Sequence, residues 1–372
     1  MQKNWICLGL MSGTSGDGVD ASIISTNGIN QFETIKDKYF EYDSEIYKNI
    51  HNLKDKIHKF DHLKIFEKEI DDLERKITIF HADIINELNV SNETIVGFHG
   101  QTIYHNPNEK ISKQLGNGDL LNQLTKKNIV YNFRNNDILN GGQGAPLTPI
   151  FHQLIATQKK INLPICFFNI GGISNITIVK SLENITGLVS KDIGPGNCLI
   201  DTWIRNNSNK KFDLDGQLAS MGTKNEIIFE QAQELYTNRN NKKKLSFDTN
   251  DFDISFVRGL SLEDGVATLT DFTASIIGEE LSIFIKETDK KIKDVLLCGG
   301  GRKNKTLIKK IKENLSPNIN IKLIDKLKID GDFVESQAFG FLAARTFLNL
   351  PISFPNTTGC KSPCTGGQLI KN

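Results

Sequence analysis

The chain has 372 residues, more than one typical domain needs and about right for two. Apolar residues make up 38% of it, enough to build cores, so disorder of the whole chain is excluded. With 45 basic against 44 acidic residues the formal charge is +1, which argues against nucleic acid or an anionic membrane as the main partner.

No run approaches the length of a bilayer span. The apolar stretch from Trp5 to Met11 leads straight into Ser12-Gly13 and not into a secretory cleavage pattern. Cys7, Cys166, Cys198 and Cys298 lie inside apolar segments, as small buried hydrophobes do in a reducing compartment. A cytoplasmic protein is expected. Cys360 and Cys364 are close in sequence, but no second cysteine pair and no histidine stands near them, so no metal site is expected there.

In chain order, Ile6-Cys7-Leu8 predicts a strand, Ser12 to Gly18 a polar turn and Asp20 to Ser25 a second strand. Apolar residues then recur at spacings of three and four. They run from Ile46 to Phe60 and again from Leu63 to Leu88, predicting surface helices with solvated charged faces. Ile95 to Phe98 predicts a short buried strand ending at His99-Gly100-Gln101-Thr102. Ile129 to Tyr131 predicts another, ending at Asn132-Phe133-Arg134, and the glycine-rich loop Gly141 to Leu147 follows.

The second half repeats the opening design, with a strand at 165–168, the Gly171-Gly172 turn and a strand at 176–179. Val189 to Ile193 is a strand carrying Asp192 at its end. Gly194-Pro195-Gly196-Asn197 then starts a helix through Trp203. Residues 206–250, rich in Asn, Lys and Asp, are expected to be partly a surface excursion. Thr268 to Ile285 is helical, 295–298 a strand, Gly299-Gly300-Gly301 a turn, and 305–314 and 333–348 are helices.

Several of these segments have residues suited to chemistry. The turn Gly9 to Asp20 concentrates Gly, Ser, Thr and Asp. Its glycine amides and hydroxyls suit phosphate oxygens, and Asp17 and Asp20 suit a hydrated Mg²⁺. An ordinary hairpin turn uses the same residues, and the Gly-Lys-Ser/Thr ending of a P-loop is missing. Gly171-Gly172 reads first as a plain turn, with phosphate contact as the alternative. Three consecutive glycines at 299–301, after a strand and before a helix, suit a nucleotide lying against the backbone. Asp192 is equally a general base at a strand end or the cap of the helix near Asn197. Arg134 is either an anion clamp or a surface ion pair. Glu335 sits on a helical first turn, where the dipole favours an acid in any case. His99 and His105 read as polar loop residues.

Taken together and in this order, the segments resemble the anhydro-N-acetylmuramic acid kinase family. That family belongs to the superfamily of sugar kinases, heat-shock chaperones and actin. The matching stretches are Met11 to Asp20, Gly97 to Thr102, Gly141 to Leu147, Asn169 to Asn175, Asp192 to Asn197, Gly299 to Arg302, and Phe333 to Glu335 with Ala338-Phe339.

The resemblance implies an α/β, two-lobed actin-like ATPase (ribonuclease H-like) fold with a central cleft. Lobe I would be 1–130 plus 350–372 with the phosphate loop. Lobe II would be 131–349 with the catalytic Asp and the adenosine-side loop. It implies ATP and Mg²⁺ as cofactors, with ATP held by Ser12, Gly13, Thr14, Ser15, Gly16, Asp17, Gly18, Val19, Gly171, Gly172, Gly299, Gly300 and Gly301. Asp192 is the implied base, activating the water that opens the 1,6-anhydro ring, and Arg134 and Glu335 the implied sugar contacts. The partner is a small sugar, with a homodimer as the implied assembly.

Three departures stand out: Gly16 where the family has a larger apolar residue, Asn132 where it has Asp, and Lys244 to Phe256, which lacks an expected Lys-Ser/Thr-Gly run. Two alternatives remain beside this reading, an ordinary amino-sugar kinase of the superfamily and a nucleotide-switched binding protein like actin or the chaperones.

Overall fold

The computed structural model describes residues 3–238, 246–289 and 291–372. The chain divides into two compact units. Unit 1 takes in residues through Ile161, Ser181–Leu188 and Asp332–Asn372, and unit 2 takes in Asn162–Lys180 and Val189–Gly331.

Unit 1 is built on a seven-stranded sheet of β1 (Trp5–Ser12), β2 (Gly18–Thr26), β3 (Phe32–Glu41), β4 (Ile95–Asn106), β5 (Ile111–Leu115), β6 (Asn128–Tyr131) and β12 (Gln368–Ile370). Its order is β12-β6-β4-β1-β2-β3, with β5 paired to β4. β1, β4 and β6 run parallel, while β2 and β3 return antiparallel. Leu8 and Leu10 point into a core closed by the helices Ser44–Lys56 and Glu67–Leu88. Ile46, Ile50 and Leu53 of the first helix and Ile70, Leu73 and Ile77 of the second form its apolar stripes. Each such side chain, once fully buried, stabilises the fold by about 1.5–3 kcal/mol. Asp43 starts the first helix by accepting from the amides of Glu45 and Ile46.

On the opposite face of β1 and β4 lies the helix Val334–Phe347. Side chains alternate across a strand, so Gly9 and Gly97, paired in register, present only backbone to that helix. A Cβ on Gly9 would lie 1.8 Å from the Ser336 carbonyl oxygen, and one on Gly97 would lie 2.3 Å from that of Phe339. The two glycines therefore allow backbone-to-backbone contact.

Unit 2 carries a five-stranded sheet of β7 (Ile165–Ile170), β8 (Ile173–Val179), β9 (Leu188–Pro195), β10 (Asp294–Cys298) and β11 (Asn320–Leu323), ordered β11-β10-β7-β8-β9. β10 is parallel to β7 and β11 to β10, and β8 is antiparallel to β7. A core of Phe168, Ile170, Ile176, Val295, Leu297, Leu307 and Ile311 packs against the helix Leu262–Thr288. A second cluster gathers around Trp203 and Leu269.

The two sheets share one plan: a central strand, an antiparallel hairpin partner on one side and parallel strands on the other. This is the ribonuclease H-like arrangement that actin-like ATPases carry twice, so the fold is α/β of that class. Two stretches expected in the second lobe pack with unit 1. Residues 131–161 follow β6, which pairs with β4, and residues 332–349 contain the helix set against Gly9 and Gly97. β4 also runs on through His99 to Thr102, because Gln101 to Asn106 pair with β5.

Candidate functional site

In unit 1 the turn between β1 and β2 is held from within. Ser12 is 1% exposed, and its hydroxyl meets Gln101 Oε1 at 2.6 Å, Tyr42 Oη at 3.0 Å and the Gly18 carbonyl oxygen at 3.1 Å. A hydroxyl has one proton to give, so this side chain is largely engaged with the fold and not with solvent. Gln101 Nε2 donates to the Gly13 carbonyl at 2.9 Å, and the Gly16 amide donates back to it at 3.1 Å. Lys54 Nζ reaches the Thr14 carbonyl at 2.5 Å.

Gly16 has φ +64°, and a Cβ there would sit 2.9 Å from Ile50 Cγ2. The missing side chain therefore permits a tight left-handed turn against Ile50. Gly13 has open space, its nearest neighbour to a Cβ being Ser15 Oγ at 3.8 Å. Asp17 accepts from Ser15 Oγ at 2.6 Å. Asp17, Glu41 and Asp20 all stand near Tyr39. After burial, these three carboxylates push its phenol well up.

A second group of unit 1 surrounds Arg134. Its Nη1 donates to the Gly144 carbonyl at 2.7 Å, while Nη2 and Nε lie 2.9 and 3.3 Å from His99 Nε2. His99 Nδ1 lies 2.7 Å from the Gly100 carbonyl, so that nitrogen carries the proton and Nε2 is the acceptor. Burial, then the Arg134 charge, holds the His99 ring well below the usual imidazole range. The neutral ring thus serves as a bracket for the guanidinium. It packs against Phe339 in a tilted contact with ring centroids 4.6 Å apart, one turn along the helix from Glu335. Burial raises the Glu335 carboxyl, and Arg134 partly offsets that rise. Arg134 and Glu335, singled out separately in the sequence, are therefore neighbours. His99, read as a loop residue, is the strand residue that steadies Arg134. Its signal was the buried β4 run leading into it. Asn132 lies at φ +55°, which Asn tolerates well, and donates to Gln368 Oε1 at 3.0 Å.

In unit 2 three glycine turns converge. The amides of Gly196 and Asn197 donate to the Gly172 and Gly171 carbonyls at 2.8 Å each. A Cβ on Gly196 would lie 2.3 Å from the Gly171 carbonyl oxygen. Cβ atoms on Gly299 and Gly301 would strike Asn169 Oδ1 and Ile170 Cγ2, each at 2.3 Å. Gly300 alone of this triplet has no neighbour within 4 Å of a Cβ position. The Gly171 amide is already used, donating to Ile173 O at 3.2 Å. Arg302, 8% exposed, anchors the third turn by donating to Asp325 and Asp330 at 3.0 Å and to the Gly299 carbonyl at 3.2 Å. That pairing holds the Asp325 carboxyl down.

Asp192 lies in β9, 7% exposed, and its Oδ2 accepts from the Phe247 amide at 2.9 Å. The cap position of the following helix, Cys198–Asn207, falls on Asn197. The 246–256 segment, which looked foreign by sequence, thus supplies an amide to the Asp192 carboxylate. Lys244 and Leu245 lie outside the described residues.

Among the described residues, one buried group has metal-ligating atoms gathered together: Asp137, Cys360 and Cys364. Cys360 and Cys364, which have no second cysteine pair and no histidine near them in sequence, are joined by Asp137, which is remote in sequence and brought in by the fold. Also among the described residues, no helix is long and apolar enough to cross a membrane.

Residues 5–372 match the family model described as anhydro-N-acetylmuramic acid kinase. A protein of that description from Pelagibacter ubique (strain HTCC1062) is 54% identical over 376 residues, covering 100% of both chains. Another from Zymomonas mobilis subsp. mobilis is 36% identical over 374 residues, covering 98% of this chain and 99% of its own. Among solved structures, the activator of 2-hydroxyisocaproyl-CoA dehydratase from Clostridium difficile with bound ADPNP aligns at a TM-score of 0.43 and 11% identity. It covers 91% of this chain and 94% of its own, a likeness too loose to carry an argument.

Proposed function

The chain belongs to the anhydro-N-acetylmuramic acid kinase family, and on that premise we propose that it opens 1,6-anhydro-N-acetylmuramic acid with water and phosphorylates O6 at the expense of ATP. The products are N-acetylmuramic acid 6-phosphate and ADP, in the recycling of peptidoglycan. The reading rests chiefly on Asp192, a carboxylate oriented by the Phe247 amide on a strand that leads into a glycine turn.

Asp192 takes a proton from water as the water oxygen bonds to C1. The C1–O6 bond breaks, and the electron pair stays on O6. O6 then bonds to the γ-phosphorus while the bond from that phosphorus to the bridging oxygen breaks, releasing ADP. The proton on Asp192 passes to solvent. Phosphoryl transfer needs positioning and neutralised charge more than covalent help. Within the first turn, Gly13 has the room a phosphate needs, and Thr14 and Ser15 add hydroxyls. Ser12 shapes the turn from inside. Gly300 has room for the adenosine side.

Asp17 and Asp20 are hard oxygen donors, which suit Mg²⁺, and they share the neighbourhood of Tyr39. Mg²⁺ bound there would neutralise charge on the phosphate oxygens. Arg134, bracketed by His99, is suited to the sugar's lactyl carboxylate, and Glu335 to a sugar hydroxyl or amide. The reaction belongs in the cytoplasm, where ATP is, and a homodimer is the assembly expected of the family.

The test is ATP consumption by the purified chain with and without the anhydro sugar, with the product weighed in ¹⁸O water at early times. One solvent oxygen at C1 and one phosphate at O6 are expected. A phosphorylated product without solvent oxygen makes it an ordinary sugar kinase. ATP hydrolysis indifferent to the sugar makes it a nucleotide-switched protein.

A further inference from the structure

Asp137, Cys360 and Cys364 are not used by the proposed reaction, yet they form a compact buried group. Asp137 is 0% exposed, Cys360 2% and Cys364 8%. One carboxylate oxygen and the two Sγ atoms all lie within 4.8 Å of one another. Tetrahedral zinc, with about 2.3 Å to sulfur and about 2.0–2.2 Å to oxygen, spaces its ligands by a little under 4 Å, so only a small contraction is needed. Neither thiol is in a disulfide, four residues of spacing put them on one loop, and Cys364 Sγ donates to Asp137 Oδ1 at 3.9 Å.

We propose that these three side chains form a structural site for a thiophilic divalent cation of the zinc class, with a water oxygen as fourth ligand. Ligand chemistry points the same way. Two thiolates exclude Mg²⁺ and Ca²⁺, and a buried carboxylate with two sulfurs suits a borderline-soft ion.

The surroundings of the carboxylate resemble an outer shell. The Gly144 amide donates to Asp137 Oδ2 at 2.7 Å and Thr358 Oγ1 donates to Oδ1 at 2.6 Å. The Ser353 hydroxyl lies 3.0 Å from Cys364 Sγ. Such partners orient ligands and tune their basicity. A Cβ on Gly142 would lie 2.2 Å from Asp137 Oδ2, so only glycine lets the loop pass this closely. The cation would staple two remote pieces of chain, the helix Asn135–Leu139 and the C-terminal segment holding Cys360 and Cys364, while the loop at 141–147 is tied to Asp137 by the Gly144 amide. The Gly144 carbonyl also receives Arg134, so the staple lies directly behind that arginine.

The site stands or falls independently of the proposed reaction. The full chain, reduced and stripped with chelator, is titrated with Co²⁺ alone and then with Zn²⁺. Expected are one Co²⁺ per chain, a thiolate-to-cobalt charge-transfer band, the strong visible bands of tetrahedral Co²⁺, and their bleaching by Zn²⁺. Cys360→Ala should weaken Co²⁺ binding by more than the roughly 10- to 100-fold that loss of an outer-shell partner costs, and Cys360→Ala/Cys364→Ala should abolish the charge-transfer band. Far-ultraviolet circular dichroism of the cation-free variants checks that they fold, and the single variant serves if the double one does not. No thiolate band in the wild type, a six-coordinate spectrum, or a band that survives loss of both cysteines overturns the proposal.

Discussion

In unit 1 the turn between β1 and β2 spans Gly13 to Asp17, with its anchor Ser12 turned inward and Gly13 left open. In unit 2 the equivalent turn between β7 and β8 is only Gly171-Gly172. Its carbonyls are occupied by the amides of Gly196 and Asn197, and the Gly171 amide is spent on Ile173. The same strand plan thus carries two different turns. Gly13 in the first leaves room for a ligand, whereas the main chain of the second is covered by Gly196, whose lack of a Cβ lets it pack on the Gly171 carbonyl. A glycine-rich hairpin is therefore not by itself a phosphate site. A Cβ would meet only ordinary contacts at Gly13 and at Gly171, so what separates the two turns is that the amides of Gly196 and Asn197 are already hydrogen-bonded to the main chain of the second.

The contrast can be tested most severely at Asp192, the one carboxylate given a chemical role in unit 2. Asp192→Asn should cut kcat by about 10²- to 10⁴-fold while leaving ATP binding by calorimetry unchanged. A variant with near-normal kcat would show that the Phe247 contact is the whole purpose of the side chain.

Acid should separate the units next, because all seven histidines lie in unit 1. Burial lowers His81 to about 4 and His105 and His152 to about 3, and it lowers His99 as well. The unfolded chain takes protons on these rings near pH 6.5, while the folded chain does not until well below. Stability is therefore lost as pH falls from about 6.5 towards 4. Glu335, raised by burial, works in the opposite direction around its own range. Hydrogen exchange at pH 7 and pH 5 should show amides of unit 1 losing protection before those of unit 2. The reverse order would contradict this account.

The glycines themselves allow a finer test. Gly196→Ala should cost about 1–3 kcal/mol in urea unfolding, since its Cβ would overlap the Gly171 carbonyl. Gly13→Ala should leave the urea midpoint in place and raise the KM for ATP. Equal loss of stability in both would erase the distinction between the open Gly13 and the close-packed Gly196. At His99, Gln retains an acceptor for Arg134 and Leu does not. His99→Leu should raise the sugar KM about tenfold, and His99→Gln should raise it less. The smallest effect is expected at Asn132→Asp, within about 0.5 kcal/mol, because it loses only an exposed hydrogen bond to Gln368 and places its new charge at the surface.

Much of the fold was legible because buried strands and amphipathic helices have clear periods. β1, β6, β7 and β10 and the helices from Ser44 to Leu88 follow the apolar pattern closely. β3 was not, for it is an edge strand whose side chains are mostly exposed, so its sequence alternates too weakly to stand out. β5 and β12 are short and acquire their strand character from their partners. Within the candidate site, glycine turns and single charged residues were visible, but their neighbours were not. No spacing predicts that Asp137 meets Cys360, that His99 braces Arg134, or that Phe247 reaches Asp192. Each of these contacts joins segments that only the tertiary fold brings together.

Gly9 and Gly97 have a further consequence. The helix bearing Glu335 rests on main chain, not on side chains that could repack, so its height above the sheet is set by covalent geometry. A methyl group at Gly9 would act as a shim under one end of a rigid rod. Such a shim would tip the Glu335 end, and the tilted His99–Phe339 ring contact would move with it. Two missing side chains in the sheet thus calibrate the distance between an acid and an arginine that neither of them touches.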